Sequence, residues 1–470
     1  MPCHRLASIA LLAMLFAAGG ASAAEPADAP RYDLTPRLAP GDSAEVTTSI
    51  DVGGDLLVTA PDGPGESRLP LSIVAKLQYH EQLLHWSSDV AEPVRAVRRY
   101  STATANTKTD ARSEEQSLAP ARGPIVAESS QLGFAMSTLT GPLTRNEFIL
   151  LDAVGNTLVI DRLLPGKELA EGEGWDHDPY AIGALLGMDH VAVCDVRSVV
   201  TGEDNRQVQI RMAGTVHGTV NGSSTEMELR AAYLFHLDCG RITKLNLAVK
   251  ELLKPGDVAP GLDVVAKIAV VAAPRTKEAA SPFEADVLKQ AAQMPRSELR
   301  ELLVDAADRG FRFRQDLSWF VVHESRELTS FKLIDEGELV ARCSIATAPP
   351  RPAGKPMTLM EFEKDVVKAL GEKVGKVAEA REWTTPNGCQ CLGVFVDGKV
   401  SAGEGLAGGV DVQWRYYHVS GENLPQATVA VTVEQMLVER FANADRQIID
   451  SLQLVPMAPK TAAAVTTQTE

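Results

Sequence analysis

A strict two-residue alternation over one long stretch constrains this chain more than any other feature. In residues 206–217, Val208, Ile210, Met212 and Val216 alternate with Gln207, Gln209, Arg211 and Thr215. In residues 225–237 the apolar phase is Met227, Leu229, Ala231, Tyr233, Phe235 and Leu237, and in residues 241–250 it is Leu245, Leu247 and Val249. Successive side chains of a strand point to opposite faces, so each segment predicts a strand with one apolar and one wetter face. Asn221-Gly222, the type I′ hairpin dipeptide, joins the first two, and Asp238-Cys239-Gly240 joins the second and third. The pattern predicts an antiparallel meander with one face buried. A one-residue slip would bury Glu226, Glu228 and Arg230 instead, so the phase is fixed.

A single helix is the candidate cover for that face. Asp178 suits an N-cap, Pro179 the first helical position, and Tyr180, Ile182, Leu185 and Leu186 follow before Gly187 stops the run. Residues 44–50, 69–80, 94–103, 133–138 and 147–151 read as further strands, and 104–123 and 165–176 as strand extensions or loops. A long twisted antiparallel sheet with one helix on its apolar face is a half-barrel.

The N-terminus carries an export signal. Arg5 precedes an apolar run at residues 6–18, Gly19 and Gly20 break it, and Ala21-Ser22-Ala23 is a small-x-small cleavage site. The run is shorter than the roughly 20 residues a membrane helix needs. No cysteine follows the site to take a lipid. The expected mature protein starts near Ala24, has no integral membrane segment, and is periplasmic or extracellular. Cys194, Cys239, Cys343, Cys389 and Cys391 remain, an odd number that leaves at least one thiol unbridged. The formal charge is −16, from 46 basic and 62 acidic residues, which argues against nucleic acid as a partner.

The texture divides the chain into a signal peptide (1–23), a linker (24–40), an antiparallel β-rich domain (41–253), a Pro-rich linker (254–282), a mixed domain (283–456) and a tail (457–470). Residues 264–271 within the Pro-rich stretch have an alternative reading as a last strand. In the mixed domain, helical patterning at 283–309 precedes strands at 311–313, 319–322, 328–334 and 339–347. Thr358 and Glu361 form a capping box for a helix carrying Phe362, Val366, Val367 and Leu370. Strand texture returns at 382–386, 389–396, 410–419 and 426–433, and an amphipathic helix is expected at 440–454.

This order resembles the PsbP-like α/β/α sandwich. The likeness rests on Phe311-Arg312-Phe313 with Trp319, the helix at 358–370, the strand Trp414–Tyr417, and Phe441 with Ile448-Ile449-Asp450-Ser451-Leu452. It covers about a third of the chain. Members of that family are accessory or binding modules with no shared catalytic set, so the resemblance implies no catalytic residue. The β-rich half resembles exported bacterial proteins of unknown function and, in outline, half-barrel lipoprotein carriers. The expected class is therefore α+β: an antiparallel β half-barrel followed by a PsbP-like sandwich.

Motifs that carry chemistry are sparse. Residues 403–408 match G-x-G-x-x-G, but Val410, Val412, Trp414 and Tyr416 follow with strand period, where a dinucleotide site needs a helix. His80 and His85 miss the i, i+4 spacing of a zinc helix. Cys389 and Cys391 share a strand face without the spacer of a redox pair. Asp176, His177 and His190 are the candidate residues for a hydrolase whose site is assembled only by folding. The expectation is an exported, non-catalytic binding protein with no cofactor and no metal. Its β domain would hold an apolar small molecule against Met227, Leu229, Tyr233, Phe235 and Leu237. The alternative is an interaction or assembly module for a cell-envelope protein.

Overall fold

The computed structural model describes residues 30–59, 66–110, 112–276, 279–325, 327–352, 355–401 and 409–456. The expected signal peptide, the first residues of the leader linker and the tail at 457–470 lie outside them.

The alternating segments build one sheet of twelve strands, all antiparallel. Across it run Gly174–Asp176, His190–Asp204, Gln207–Val220, Ser223–His236, Arg241–Leu253, Gly261–Pro274, Ser43–Thr59, Glu66–His85, Val94–Thr109, Ile125–Ser130 and Gly133–Thr138. Arg112–Ser117 pairs beside Val94–Thr109. The meander has the expected phase: Val208 lies opposite Phe235, Ile210 opposite Tyr233, and Val220 opposite Ser223. Asn221 and Gly222 both have positive φ (49° and 75°), as a type I′ turn requires. Gly261–Pro274, inside the Pro-rich stretch, is a 14-residue strand that pairs with Arg241–Leu253 on one side and Ser43–Thr59 on the other.

Three short helices follow in the first half. Helix α1 (Arg145–Leu151) occupies residues 147–151, which alternation alone assigns to a strand. Thr144 and Glu147 decide the matter: the Glu147 amide donates to Thr144 Oγ1 at 3.3 Å, and the Thr144 amide donates to Glu147 Oε2 at 2.9 Å. Helix α2 is Thr157–Ile160, capped by Asn156. Helix α3 (Pro179–Leu186) has the expected ends, with Asp178 accepting from the amides of Tyr180 and Ala181, and Gly187 left-handed at φ 71°. Buried side chains of all three helices share one core with the inner face of the large sheet.

The expected class needs correction. Strands hold 58% of the described residues and helices 18%, so this is a mostly-β chain, not an α+β half-barrel followed by a PsbP-like α/β/α sandwich. Helical periodicity in the second half does not extend into helical layers. Residues 283–309 split into α4 (Ala285–Gln293), α5 (Arg296–Leu299) and a strand, Glu301–Ala306. The capping box at Thr358 starts α6 (Leu359–Leu370), of 12 residues. The last amphipathic run breaks at Ala442, whose φ is 49°, into α7 (Val438–Phe441) and α8 (Ala444–Ser451). Strands dominate instead, in a seven-stranded sheet spanning Trp319–Glu434 and a four-stranded sheet.

That four-stranded sheet joins the halves. Leu143–Thr144 runs parallel to Leu302 and Leu303 at its edge. Next to it, Arg145 donates to the carbonyl oxygens of Leu317 (2.7 Å) and Trp319 (2.6 Å). Arg95 donates to the Met294 carbonyl (2.8 Å), just past the C-terminus of α4, and pairs with Glu128, which also holds Arg296.

Candidate functional site

The inner face of the large sheet divides into a sealed part and an open part. Register fixes which side chains share it. One row crosses the sheet through Leu77, Thr48, Val270, Leu245, Tyr233 and Ile210. Two residues along each strand lies the row Ala75, Ile50, Ile268, Leu247, Ala231 and Met212, and beyond it Ile73, Val52, Ala266, Val249 and Leu229. Gly155, in the loop between α1 and α2, sits against Val270, Ile268 and Leu245. The helices therefore reach the first of these rows.

All five expected ligand-binding residues belong to the core. Met227, Leu229, Tyr233 and Phe235 are buried, and Leu237 is half-buried just past the strand end. They share their cluster with Leu158 and Ile160 of α2 and Ile182 and Leu185 of α3. Phe235, fully inaccessible, has no free space in front of it for a ligand. The open part lies elsewhere: Ile50, Val52, Ile73, Ala75, Ala105 and Ala266 are only half-buried. Close strand approach leaves no room for a side chain at two inner positions. A Cβ on Gly54 would lie 2.2 Å from the Asp263 carbonyl oxygen, and one on Gly214 would lie 2.0 Å from that of Asp195.

Two polar networks lie inside the sealed part. His177 Nε2 lies 2.7 Å from Ser198 Oγ, which lies 2.9 Å from the Tyr233 hydroxyl. Burial pushes the His177 pKa down to about 4, so the ring is neutral at pH 7. A histidine on a serine hydroxyl is one half of an activated nucleophile. Here, however, Ser198 is fully buried, and the third member is a tyrosine. Asp176 and His190 do not join it: Asp176 pairs with Arg197 at 2.9 Å on the surface, and His190 is exposed at the start of its strand. A second network holds α2 to the sheet. Arg98 donates to Glu81 (2.9 Å), Asn156 (2.6 Å) and Thr157 (3.0 Å), and Thr157 donates to Glu81 at 2.6 Å. Both charges are 2% exposed.

The remaining motifs are placed plainly. The glycine run at 403–408 falls outside the described residues, between the antiparallel strands Gln390–Ser401 and Gly409–Ser420. The five cysteines among the described residues are free thiols, with Cys343, Cys389 and Cys391 buried in the second half and Cys194 and Cys239 half-buried. Burial raises the pKa of each of them. Among the described residues, no three metal-binding side chains converge, and no helix is long and apolar enough to cross a membrane. A shallow pocket of about 60 Å³ lies between Tyr100 and Ala103 on one side and Leu118 and Arg122 on the other.

One inward-facing charged position is missing from the alternation as read from sequence. The phase Leu245, Leu247, Val249 continues to Glu251, which puts a carboxylate on the inner face between Val264 and Met227. The expected strand ends at Lys250; the structural one runs to Leu253. Extending the phase by one step finds it.

Comparison of the sequence with protein families and with curated proteins finds no match. Among solved structures, the chain is similar to one entitled lipid-protein interactions in lipovitellin, with 11% identity and a TM-score of 0.30 over 53% of this chain. The chain spans only 27% of that protein's length. It is also similar to the outer membrane protein OprD from Pseudomonas aeruginosa, with 10% identity and a TM-score of 0.11 over 86% of this chain and 96% of that one. The translocator domain of the autotransporter NalP from Neisseria meningitidis shows 8% identity and a TM-score of 0.09, over 84% and 88% of the two chains. Likenesses this slight carry no functional argument.

Proposed function

We propose that this is an exported, non-catalytic binding protein that holds an apolar ligand in the open end of its large sheet. The export reading rests on the N-terminal signal sequence. The ligand reading rests on one observation: inward-facing Ile50, Val52, Ile73, Ala75, Ala105 and Ala266 keep part of their surface in water, while the rows nearer the helices are sealed. Ala75, Ala105 and Ala266 alternate with the larger Ile50, Val52 and Ile73 in this strip, which we read as a shallow trough. Covering such surface returns about 25 cal/mol per Å² of apolar area. In this reading the ligand site lies along the trough, one to two rows from Tyr233 and two to three from Phe235.

The test uses a neutral apolar fluorophore, N-phenyl-1-naphthylamine, titrated into the mature protein. Ala75→Trp fills the trough without touching the sealed core. The expected result is saturable binding to wild type and none to Ala75→Trp. No saturable binding to wild type, or equal binding to the variant, would overturn the reading and leave the envelope interaction module as the better account.

A further inference from the structure

The trough holds one charged group whose chemistry selects among apolar ligands. On the strands from Ser223–His236 across to Glu66–His85, the inner positions from the Thr48 row outward are neutral except for Glu251. It stands in register between Val264 and Met227, one row from Ala266 and Val249. Its single polar partner among the described residues is neutral: Thr225 Oγ1 donates to Oε1 at 3.1 Å. Among the same residues no basic side chain forms an ion pair with it, and Lys76, Lys250 and Lys267 fall in the outward phase of their strands. On the strand paired beyond Val94–Thr109, the inward phase carries Arg112 and Glu114.

Two buried carboxylates elsewhere in the fold meet cations, although Arg162 is buried on carbonyl oxygens alone. Glu81 meets Arg98, and Asp445 meets Arg415 at 3.2 Å. At the trough an inward carboxylate faces apolar surface without a cation, which leaves its countercharge to come from a ligand.

We propose that the trough takes a cationic amphiphile, a long alkyl chain ending in an ammonium group, with the chain along Ala266, Val52 and Ile73 and the charge on Glu251. This rests on the trough being the ligand site. Burial already raises the pKa of Glu251, and an ammonium partner would hold its carboxylate ionised. A charge-assisted hydrogen bond in such a half-buried place corresponds to roughly tenfold or more in affinity.

The experiment displaces the same fluorophore from the full mature chain with dodecylammonium, dodecanol and dodecyl sulfate. Each is used below its micelle concentration, at about the physiological ionic strength of 0.15 M, where exposed acidic groups are largely screened. Wild type should prefer dodecylammonium to dodecanol by about tenfold or more and reject dodecyl sulfate. Glu251→Gln keeps the shape and the Thr225 hydrogen bond; it should bind dodecanol as before and lose the preference. Unchanged urea unfolding would show that the variant is folded, and if Glu251→Gln is unfolded, Glu251→Met with the same three ligands replaces it. Equal binding of all three ligands, tighter binding of dodecyl sulfate, or a preference that survives either variant would overturn the cationic assignment and leave the trough standing. Failure of the fluorophore and of all three ligands to bind would overturn the trough itself, and this inference with it.

Discussion

Truncation of Phe235 tests whether the inner face is filled where the sequence alone would place a ligand. Phe235 is fully inaccessible, lies opposite Val208 and Ile242, and shares its core with Leu185 of α3 and Leu158 of α2. Removing the ring forfeits about 2–3 kcal/mol of burial. The unfilled space it leaves brings the total to about 3–5 kcal/mol, because close-packed neighbours relax only in part. Had the ring lined an existing void, truncation would enlarge that void and cost about 1 kcal/mol. The assay is urea unfolding of Phe235→Ala against wild type, both stripped of ligand, followed by fluorescence and circular dichroism so that any uncoupled transition of the two halves is visible. Ile73→Val in the half-buried trough serves as the contrast, with an expected loss of about 1 kcal/mol or less. A loss near 1 kcal/mol for Phe235→Ala would refute the packed-core reasoning and reopen the face around Tyr233 and Phe235 as a ligand cavity.

Three further outcomes follow from the geometry. Arg98→Met leaves Glu81 buried without its cation and should cost about 3–5 kcal/mol, whereas the double change Arg98→Met with Glu81→Met should cost much less; equal losses in the two would refute the pairing as the source. His177, neutral in the fold with a pKa near 4, binds protons more readily when unfolded, so it should lower stability as pH falls from about 6.5 to about 4. Asp161, raised to about 6 by burial, acts in the opposite sense over the same range, so the measurement is the difference in urea midpoint between wild type and His177→Phe at pH 7 and pH 4.5; a constant difference would exclude His177 as the source. Limited proteolysis should spare residues 261–274, because Gly261–Pro274 is hydrogen-bonded on both edges, and early cleavage there would contradict its place in the sheet.

What is legible in the sequence is local and periodic. Strict alternation yields the meander with its phase, and Asp178, Pro179 and Gly187 mark the limits of α3, because a strand face and a helix cap are each written within a few residues. The same locality misleads elsewhere. Residues 147–151 read as a strand although Thr144 and Glu147 stand at capping-box spacing ahead of them. Helical periodicity at 440–454 does not show that Ala442 turns left-handed and divides the run. The expected class fails for a related reason: helical patterns in the second half suggest layers, whereas most of that chain pairs into sheets. Contacts set by the sheet are beyond reach. His177 and Ser198 meet because Asp176 pairs with Arg197, a short strand added at the edge of a long one, and no spacing in the sequence records that pairing.

The sealed and open parts of the inner face follow from the same alternation combined with different side-chain sizes. Around the helices the sheet offers Leu245, Tyr233, Phe235 and Leu77, large enough to interdigitate with Leu158, Ile182 and Leu185 and close the space. Beyond the Thr48 row, the strands Ser43–Thr59, Glu66–His85, Val94–Thr109 and Gly261–Pro274 mix Ile50, Val52 and Ile73 with Ala75, Ala105 and Ala266, and these six stay half-buried. The sheet thus seals its face beneath the helices and keeps a half-buried apolar strip beside it, the surface that the proposed ligand would cover. Glu251 stands where that change occurs. A carboxylate one residue out of phase, at Lys250 or Leu252, would face solvent and pose no demand; at 251 it faces the trough, and its position is the feature that a substitution can test without disturbing the packed core.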